Sequence, residues 1–382
     1  MNGVEQQAQK LAQRLVRPEI AALTPYASAR REHSGGRLWL NANESPWNNT
    51  NIDGVNRYPD CQPEGVRTAY AVYADVRPEQ LLISRGADEG IDLLIRAFCR
   101  PGQDCIATFA PSYGMYAISA ATNGVACKTL EWGPGYTLPE DTASRVNDCK
   151  LLFLCNPNNP SGTTLAPEAI ITLAKALPHS LLVVDEAYIE FCPELSLVPA
   201  LAQCPNLVVL RTLSKAFALA GARCGFTLAN SAIIEMLLKV IAPYPVPAPV
   251  AQLAVAALAP EGIARMQAQV QSLNTSRDAL SLRLSSLPGV RRVLPSSANF
   301  LLFELEDAKG CYQQLVQQGL LIRAYRDPAL DAWLRISIGS DRELAQLEHA
   351  LGAILQGSED QRTLEQDNNR ISANRLAKER PQ

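Results

Sequence analysis

Apolar positions in this chain come in blocks rather than in alternation. Runs at Leu81–Ser84, Cys105–Phe109, Val125–Leu130, Lys150–Cys155, Leu181–Val184 and Leu207–Leu210 have strand length and are bounded by turn formers. Unbroken apolar runs of this kind mark strands buried on both faces of a parallel sheet. Helical stretches lie between them. One follows Arg85-Gly86-Ala87-Asp88-Glu89, continues through Gly90 to Phe98, and stops at Pro101-Gly102. Another opens at Ala110-Pro111-Ser112-Tyr113-Gly114-Met115-Tyr116. At the start, Val4, Leu11, Leu15 and Val16 fall near one helical face until Pro18 interrupts. Leu38 to Pro46 predicts a short strand running into a polar turn.

The pattern changes at Pro243-Tyr244-Pro245-Val246-Pro247-Ala248-Pro249, whose proline density predicts a rigid linker. A long helical pattern from Ala251 to Leu287 follows. Strand-like runs then appear at Val290–Leu294, Asn299–Glu304, Leu320–Arg323 and Trp333–Ser337, a smaller α+β unit. The expected architecture is α/β, with a large, mostly parallel sheet flanked by helices plus this smaller domain. The expected divisions are an N-terminal arm (1–45) joining the small domain, a large domain (46–245), a small C-terminal domain (246–357) and a polar, disordered tail (358–382).

Candidate chemistry collects at strand ends. Lys150–Cys155 ends in Asn156-Pro157-Asn158-Asn159-Pro160-Ser161-Gly162, Leu181–Val184 in Asp185-Glu186-Ala187-Tyr188, and Leu207–Leu210 in a segment carrying Lys215. Ligands of α/β sheets bind at the carboxyl ends of the strands, so Asn159, Asp185 and Lys215 are expected along one sheet edge. Around Lys215, Thr212-Leu213-Ser214 precedes and Ala216-Phe217-Ala218-Leu219-Ala220-Gly221-Ala222-Arg223 follows. Apolar surroundings penalise an ammonium and favour a neutral amine that attacks carbonyls. Ser214 and Arg223 are phosphate donors by type, and the glycine turn at Gly86 bares helix N-terminal amides. An amine beside phosphate ligands suggests a cofactor with both an aldehyde and a phosphate, pyridoxal 5'-phosphate. Each signal alone has an ordinary alternative: a surface lysine after a strand, a turn glycine, a half-buried Tyr58, a core Tyr113, or structural salt bridges at Arg323 and Arg335.

Composition narrows the classes. Over 382 residues, 47% are hydrophobic and 19% charged, and the net charge of -3 gives no reason to expect nucleic acid or a membrane surface as partner. Three histidines make a His-based triad or metal site a poor expectation. The ten cysteines form no C-x-x-C pair, so neither a metal site nor a redox dithiol is expected. No apolar leader or membrane-length run is visible, which predicts a cytoplasmic protein.

Taken in order, the motifs Leu40-Asn41-Ala42-Asn43-Glu44, Asn56-Arg57-Tyr58-Pro59, Arg85 to Glu89, Asn158 to Gly162, Asp185 to Tyr188 and Arg211 to Gly225 resemble the fold-type I pyridoxal-phosphate-dependent aminotransferases. The histidinol-phosphate aminotransferase family is the nearest in pattern. The resemblance runs from about Thr24 to Gly352. It implies that Lys215 captures the cofactor and then shuttles a proton, and that Asp185 holds the pyridinium nitrogen. Asn159 and Tyr188 would bond the ring's phenolic oxygen, and Tyr113 would stack on the ring. Gly86, Ala87, Asp88, Thr212, Ser214 and Arg223 would bind the phosphate. It further implies a homodimer in which the partner subunit's Tyr58 reaches the site. For the substrates, histidinol phosphate and 2-oxoglutarate or glutamate, it points to Tyr26, Asn43, Tyr244, Arg323 and Arg335. Ser161 departs from the threonine of many relatives but keeps the hydroxyl. Competing readings on the same scaffold are an aromatic or broad-range aminotransferase and a lyase resembling threonine-phosphate decarboxylase.

Overall fold

The computed structural model describes residues 3–24 and 38–357. Tyr26 and the 358–382 tail lie outside the described residues. The chain divides into two compact units, Met1–Asn159 with Thr163–Gln271, and Pro160–Gly162 with Ser272–Gln382.

The first unit is built on a seven-stranded sheet. Its strands are β1 (Leu81–Ser84), β2 (Cys105–Ala110), β3 (Ala126–Glu131), β4 (Leu151–Cys155), β5 (Leu181–Asp185), β6 (Leu207–Thr212) and β7 (Gly225–Ala229). Their order is β1-β7-β6-β5-β4-β2-β3. The block from β6 to β3 is parallel, while β7 runs antiparallel to both β6 and β1. All residues of β4 and β5 are buried. Alternate side chains serve opposite faces. Leu151, Phe153, Leu181, Val183, Val208 and Leu210 join a cluster with Leu93, Leu94 and Phe98 of the helix Ala87–Phe98, and Leu152, Leu154, Leu182, Val184 and Val209 are equally buried at the intervening positions. Each such side chain removed from water contributes about 1.5–3 kcal/mol. The active edge is therefore set on a rigid floor.

Two expected elements differ. Leu38 to Pro46 is not a strand, and Leu38 and Leu40 are 78% and 83% exposed. The predicted single helix from Ala251 to Leu287 is two, Ala248–Leu258 and Pro260–Ser285. Pro260 has no N–H to continue the first helix but is well suited to open the second.

The second unit carries an antiparallel sheet of four strands, β8 (Val290–Val293), β9 (Phe300–Leu305), β10 (Arg323–Ala324) and β11 (Trp333–Ser337), in the order β10-β11-β9-β8. The apolar run Leu320–Arg323 yields only two strand residues, and Leu321 is 79% exposed. Leu301, Phe303 and Leu305 of β9 pack with Cys311 and Leu315 of the helix Ala308–Gln317 and with Leu347 and Leu351.

Candidate active site

Because β4, β5 and β6 are parallel neighbours, the segments leaving their carboxyl ends emerge side by side. Asp185 is the last residue of β5 and is only 3% exposed. Its Oδ2 accepts from the Tyr116 hydroxyl at 2.8 Å and its Oδ1 from the Ala187 amide at 3.1 Å. Burial pushes its carboxyl up to about 6, and the negative field of Asp88 adds to this. The Tyr116 and Ala187 hydrogen bonds and the Lys215 charge pull the other way. Tyr116 comes from the buried face of the helix Met115–Thr122 and stacks on Phe153 with centroids 5.0 Å apart.

Beyond β5, Tyr188 is buried, and its hydroxyl accepts from Asn159 Nδ2 at 3.3 Å. Lys215 Nζ lies 5.4 Å from the centre of the Tyr188 ring. Asn159, Tyr188, Asp185 and Lys215 are thus brought together, as expected. The surroundings of Lys215 are not as expected. Its apolar neighbours Ala216 and Phe217 are buried, while Lys215 itself is exposed. The residue is exposed as a whole, while its Nζ stays beside the buried Tyr188. The loop is tight: Ala218 N–H donates to Lys215 O, and Leu219 N–H to Leu213 O, each at 3.0 Å. It places Ala218 and Arg223, both non-glycine, at positive φ of 56° and 53°. Such residues cost about 1–3 kcal/mol each and gather at functional sites.

The second cluster is built for an anion. Gly86 caps the helix Ala87–Phe98 at φ 80° and, lacking a side chain, gives the first amides no side-chain cap. Those amides and the helix dipole attract negative charge. Arg223 Nη1 is 3.3 Å from Ser214 Oγ, which lies 2.9 Å from Thr212 Oγ1. Arg223 Nη2 donates to Asp88 Oδ2 at 3.1 Å, and the Tyr113 hydroxyl to Asp88 Oδ1 at 2.9 Å. Two glycines keep this corner open. A Cβ on Gly86 would come within 2.7 Å of Arg223 Nη2, and one on Gly225 within 2.3 Å of the Gly86 carbonyl carbon. A helix N-terminus, a guanidinium and two hydroxyls fit a phosphate. Beside them, a buried carboxylate and a nearby amine fit a pyridinium nitrogen and an aldehyde. The residues present therefore fit pyridoxal 5'-phosphate.

The remaining candidates stand as follows. Tyr58, 49% exposed, stacks on Tyr244 of its own chain at 4.4 Å. Glu44 holds that turn, accepting from Arg57 at 2.9 Å and from the Tyr58 amide at 2.7 Å. Asn43 is exposed, at a positive φ of 56°. In the second unit Arg323 and Arg335 are direct cross-strand partners. Both line a cavity of about 460 Å³ with Ile322 and Ser337. Two like charges opposed across a ladder repel, so the pair favours an anion.

Sequence reasoning missed Tyr116, which stands on the first turn of the helix Met115–Thr122 with its ring 5.6 Å from that of Tyr113 in the turn before it. It also missed a buried ion pair behind the site. Arg211 of β6 binds Glu186 Oε2 at 2.9 Å and Ser196 Oγ at 2.7 Å. Burial opposes the Arg211 charge, but Glu186 outweighs it and the guanidinium is held above its ordinary pKa. This pair ties the β5 and β6 exits together beneath Asp185 and Lys215.

Comparison with known proteins agrees with this geometry. The family model "Aminotransferase class I and II" matches residues 37–354. The chain is 52% identical over 344 residues to the histidinol-phosphate aminotransferase of Shewanella oneidensis, covering 88% of each. It is 51% identical over 339 residues to that of Vibrio cholerae, covering 87% of this chain and 96% of the other. Among solved structures, the histidinol-phosphate aminotransferase of Sinorhizobium meliloti in complex with pyridoxal 5'-phosphate superposes with a TM-score of 0.73 at 27% identity, covering 79% of this chain and 83% of that one.

Proposed function

Because the chain belongs to the class I and II aminotransferases, we propose that it transfers the amino group of L-histidinol phosphate to 2-oxoglutarate, in histidine biosynthesis. The products are imidazole-acetol phosphate and L-glutamate. The observation that carries this reading is the meeting of Asn159, Asp185, Tyr188 and Lys215 at adjacent parallel strand ends, beside a phosphate-shaped helix terminus.

When bound, pyridoxal 5'-phosphate supplies an aldehyde that takes up the amino group and a ring that accepts the charge left at the substrate Cα. Lys215 Nζ would take the substrate Cα proton as base and, as acid, deliver it to the cofactor carbon C4′, on the far side of the transferred nitrogen. The Asp185 carboxylate, held by Tyr116 and Ala187, balances positive charge on the ring nitrogen. Tyr188 and Asn159 orient the phenolic oxygen, and Tyr113 covers the ring. Arg223, Ser214, Thr212 and the amides of Gly86, Ala87 and Asp88 hold the phosphate.

Arg335 and Arg323 receive the anionic end of either substrate, and Tyr26, Asn43 and Tyr244 are the further substrate residues of this reading. Histidinol phosphate offers a phosphate where glutamate offers a carboxylate, and a guanidinium serves both. The chain works as a homodimer in which the partner subunit's Tyr58 reaches the cofactor. Support comes from the apolar side chains left open between 38 and 58, namely Leu38, Leu40, Trp47 and Ile52, at 50–83% exposure. Among the described residues no helix is long and apolar enough to cross a membrane.

A donor panel tests the substrate: histidinol phosphate, phenylalanine, tyrosine and O-phosphothreonine, each with 2-oxoglutarate. Histidinol phosphate is expected to give the highest kcat/KM. Carbon dioxide release from O-phosphothreonine would replace the proposal with a lyase. In the same assay Arg335→Ala raises the KM of both anionic substrates by about 10–100-fold while cofactor affinity stays constant. Unchanged KM values would remove Arg335 from the subsite.

A further inference from the structure

Far from the candidate active site, three chain segments converge at the amino-terminal ends of β2 and β4. Cys105 opens β2, and Cys149 sits two residues before β4 begins. Although 44 residues separate them, their sulfurs are 3.0 Å apart. Both backbones are pinned. The Lys150 amide donates to Cys105 O at 2.9 Å, the Cys149 amide to Val146 O at 2.9 Å, and the Ser180 hydroxyl to Cys149 O at 2.6 Å. The parallel pairing of β2 with β4 thus delivers the two thiols to each other, a dithiol that the spacing of cysteines in the sequence did not announce.

The two sulfurs differ in access. Cys149 is 2% exposed and Cys105 is half-buried. Lys128 stands beside them, its Nζ 2.7 Å from Asp148 Oδ1. Burial first, then the Cys105 sulfur and Asp148, push the Cys149 thiol well above its ordinary value, and the Lys128 charge does not offset them. The thiolate is the attacking form, and Cys105 is the one of the two that a small disulfide reaches from solvent.

We propose that Cys105 and Cys149 are a thiol–disulfide exchange site that takes a low-molecular-weight disulfide as co-reactant. The Cys105 thiolate attacks one sulfur of the small disulfide and expels the other as a thiolate, which takes a proton. Cys149 then loses its proton to solvent and attacks the Cys105 sulfur, expelling the second small thiol. Two protein S–H bonds are lost and one S–S bond forms. The small disulfide receives the two electrons and leaves as two thiols. The sulfurs need only close to about 2.05 Å, along an approach that the strand pairing already sets. The cross-link staples β2 to β4 at the end of the sheet away from Asn159 and Tyr113.

The test is peptide mapping of the full-length, cofactor-loaded enzyme after exposure to oxidised glutathione, with remaining thiols alkylated and the digest left unreduced. The expected result is a linked peptide pair joining Cys105 to Cys149, lost on reduction. In Cys149→Ser the same treatment leaves glutathione trapped on Cys105, and in Cys105→Ser Cys149 stays alkylatable. Transaminase activity of both variants matches the parent and confirms their fold. Should either variant fail to fold, the linked pair in the parent alone decides. A stable glutathione adduct on Cys105 of the parent, a bridge from Cys105 to Cys127, or both thiols fully alkylated would overturn the proposal. So would one zinc ion retained per chain that blocks oxidation of both sulfurs, since Asp148 makes a third ligand atom within 4.8 Å.

Discussion

Lys215→Ala is expected to abolish turnover of histidinol phosphate with 2-oxoglutarate, and to remove the visible absorbance that the enzyme acquires when mixed with pyridoxal 5'-phosphate. Loss of the amine removes two functions at once. It removes the group that captures the aldehyde, and it removes the base at the substrate Cα. Proton transfer by a positioned side chain alone accounts for about 10²–10⁴ in rate, so the loss in kcat exceeds that range. The variant separates chemistry from scaffold. Lys215 is exposed, and the loop is held by the Ala218 and Leu219 amides and by the buried Leu213, Ala216 and Phe217. Its removal therefore leaves thermal stability within about 0.5 kcal/mol of the parent. Lys215→Arg is the companion. It keeps a cation at the position but has no neutral amine at working pH, and it is expected to be as inactive as the alanine variant. Turnover by either variant above one per cent of the parent would show that another group performs the proton transfer.

The rate-carrying residues were legible for a physical reason. An α/β sheet exposes function only at strand ends, so apolar runs in the sequence point to the few positions where ligands meet the chain. Asn159, Asp185 and Lys215 were readable because each follows such a run. The phosphate corner was readable because a glycine before a helix bares amides. What stayed hidden depends on pairing between distant segments. Glu186 follows Asp185 directly in the same motif. Adjacent residues at a strand exit point to opposite sides, however, and Glu186 turns away to Arg211 and Ser196. Strand β7 was absorbed into the lysine motif, because Gly225 looked like the motif's end rather than the point where a strand passes against the Gly86 turn. The exposure of Lys215 also escaped, because composition shows which neighbours are apolar but not which of them are buried. The same limit hid Cys105 and Cys149.

Asp185→Asn is expected to lower kcat by about 10³, a cost typical of removing one preorganised charge-stabilising group. The substitution isolates charge from shape. Asparagine keeps an oxygen for the Ala187 amide, and its amide nitrogen can donate to the Tyr116 hydroxyl, which now accepts. The cavity is unchanged, but the compensating negative charge is gone. A further consequence concerns the enzyme before cofactor is added. Burial holds the Asp185 carboxyl at about 6, above the ordinary aspartate value of about 3.9. A group raised in this way stabilises the fold fully below the unfolded value, and that contribution is lost as pH rises through about 6. The cofactor-free parent is therefore strained at pH 7 and above by an ionised, desolvated carboxylate. Cofactor-free Asp185→Asn escapes this penalty, and above pH 6 it is expected to be more stable than the parent by up to about 3 kcal/mol. Below pH 4 the two converge. Adding pyridoxal 5'-phosphate reverses the order, because the parent carboxylate then meets a cationic partner and the asparagine does not. Urea unfolding of both proteins at pH 4, 6 and 8, with and without cofactor, measures this crossing. A cofactor-free parent as stable as the asparagine variant at pH 8 would mean that Asp185 is already neutralised by groups of the chain itself. Its charge would then be structural rather than held in readiness for the ring.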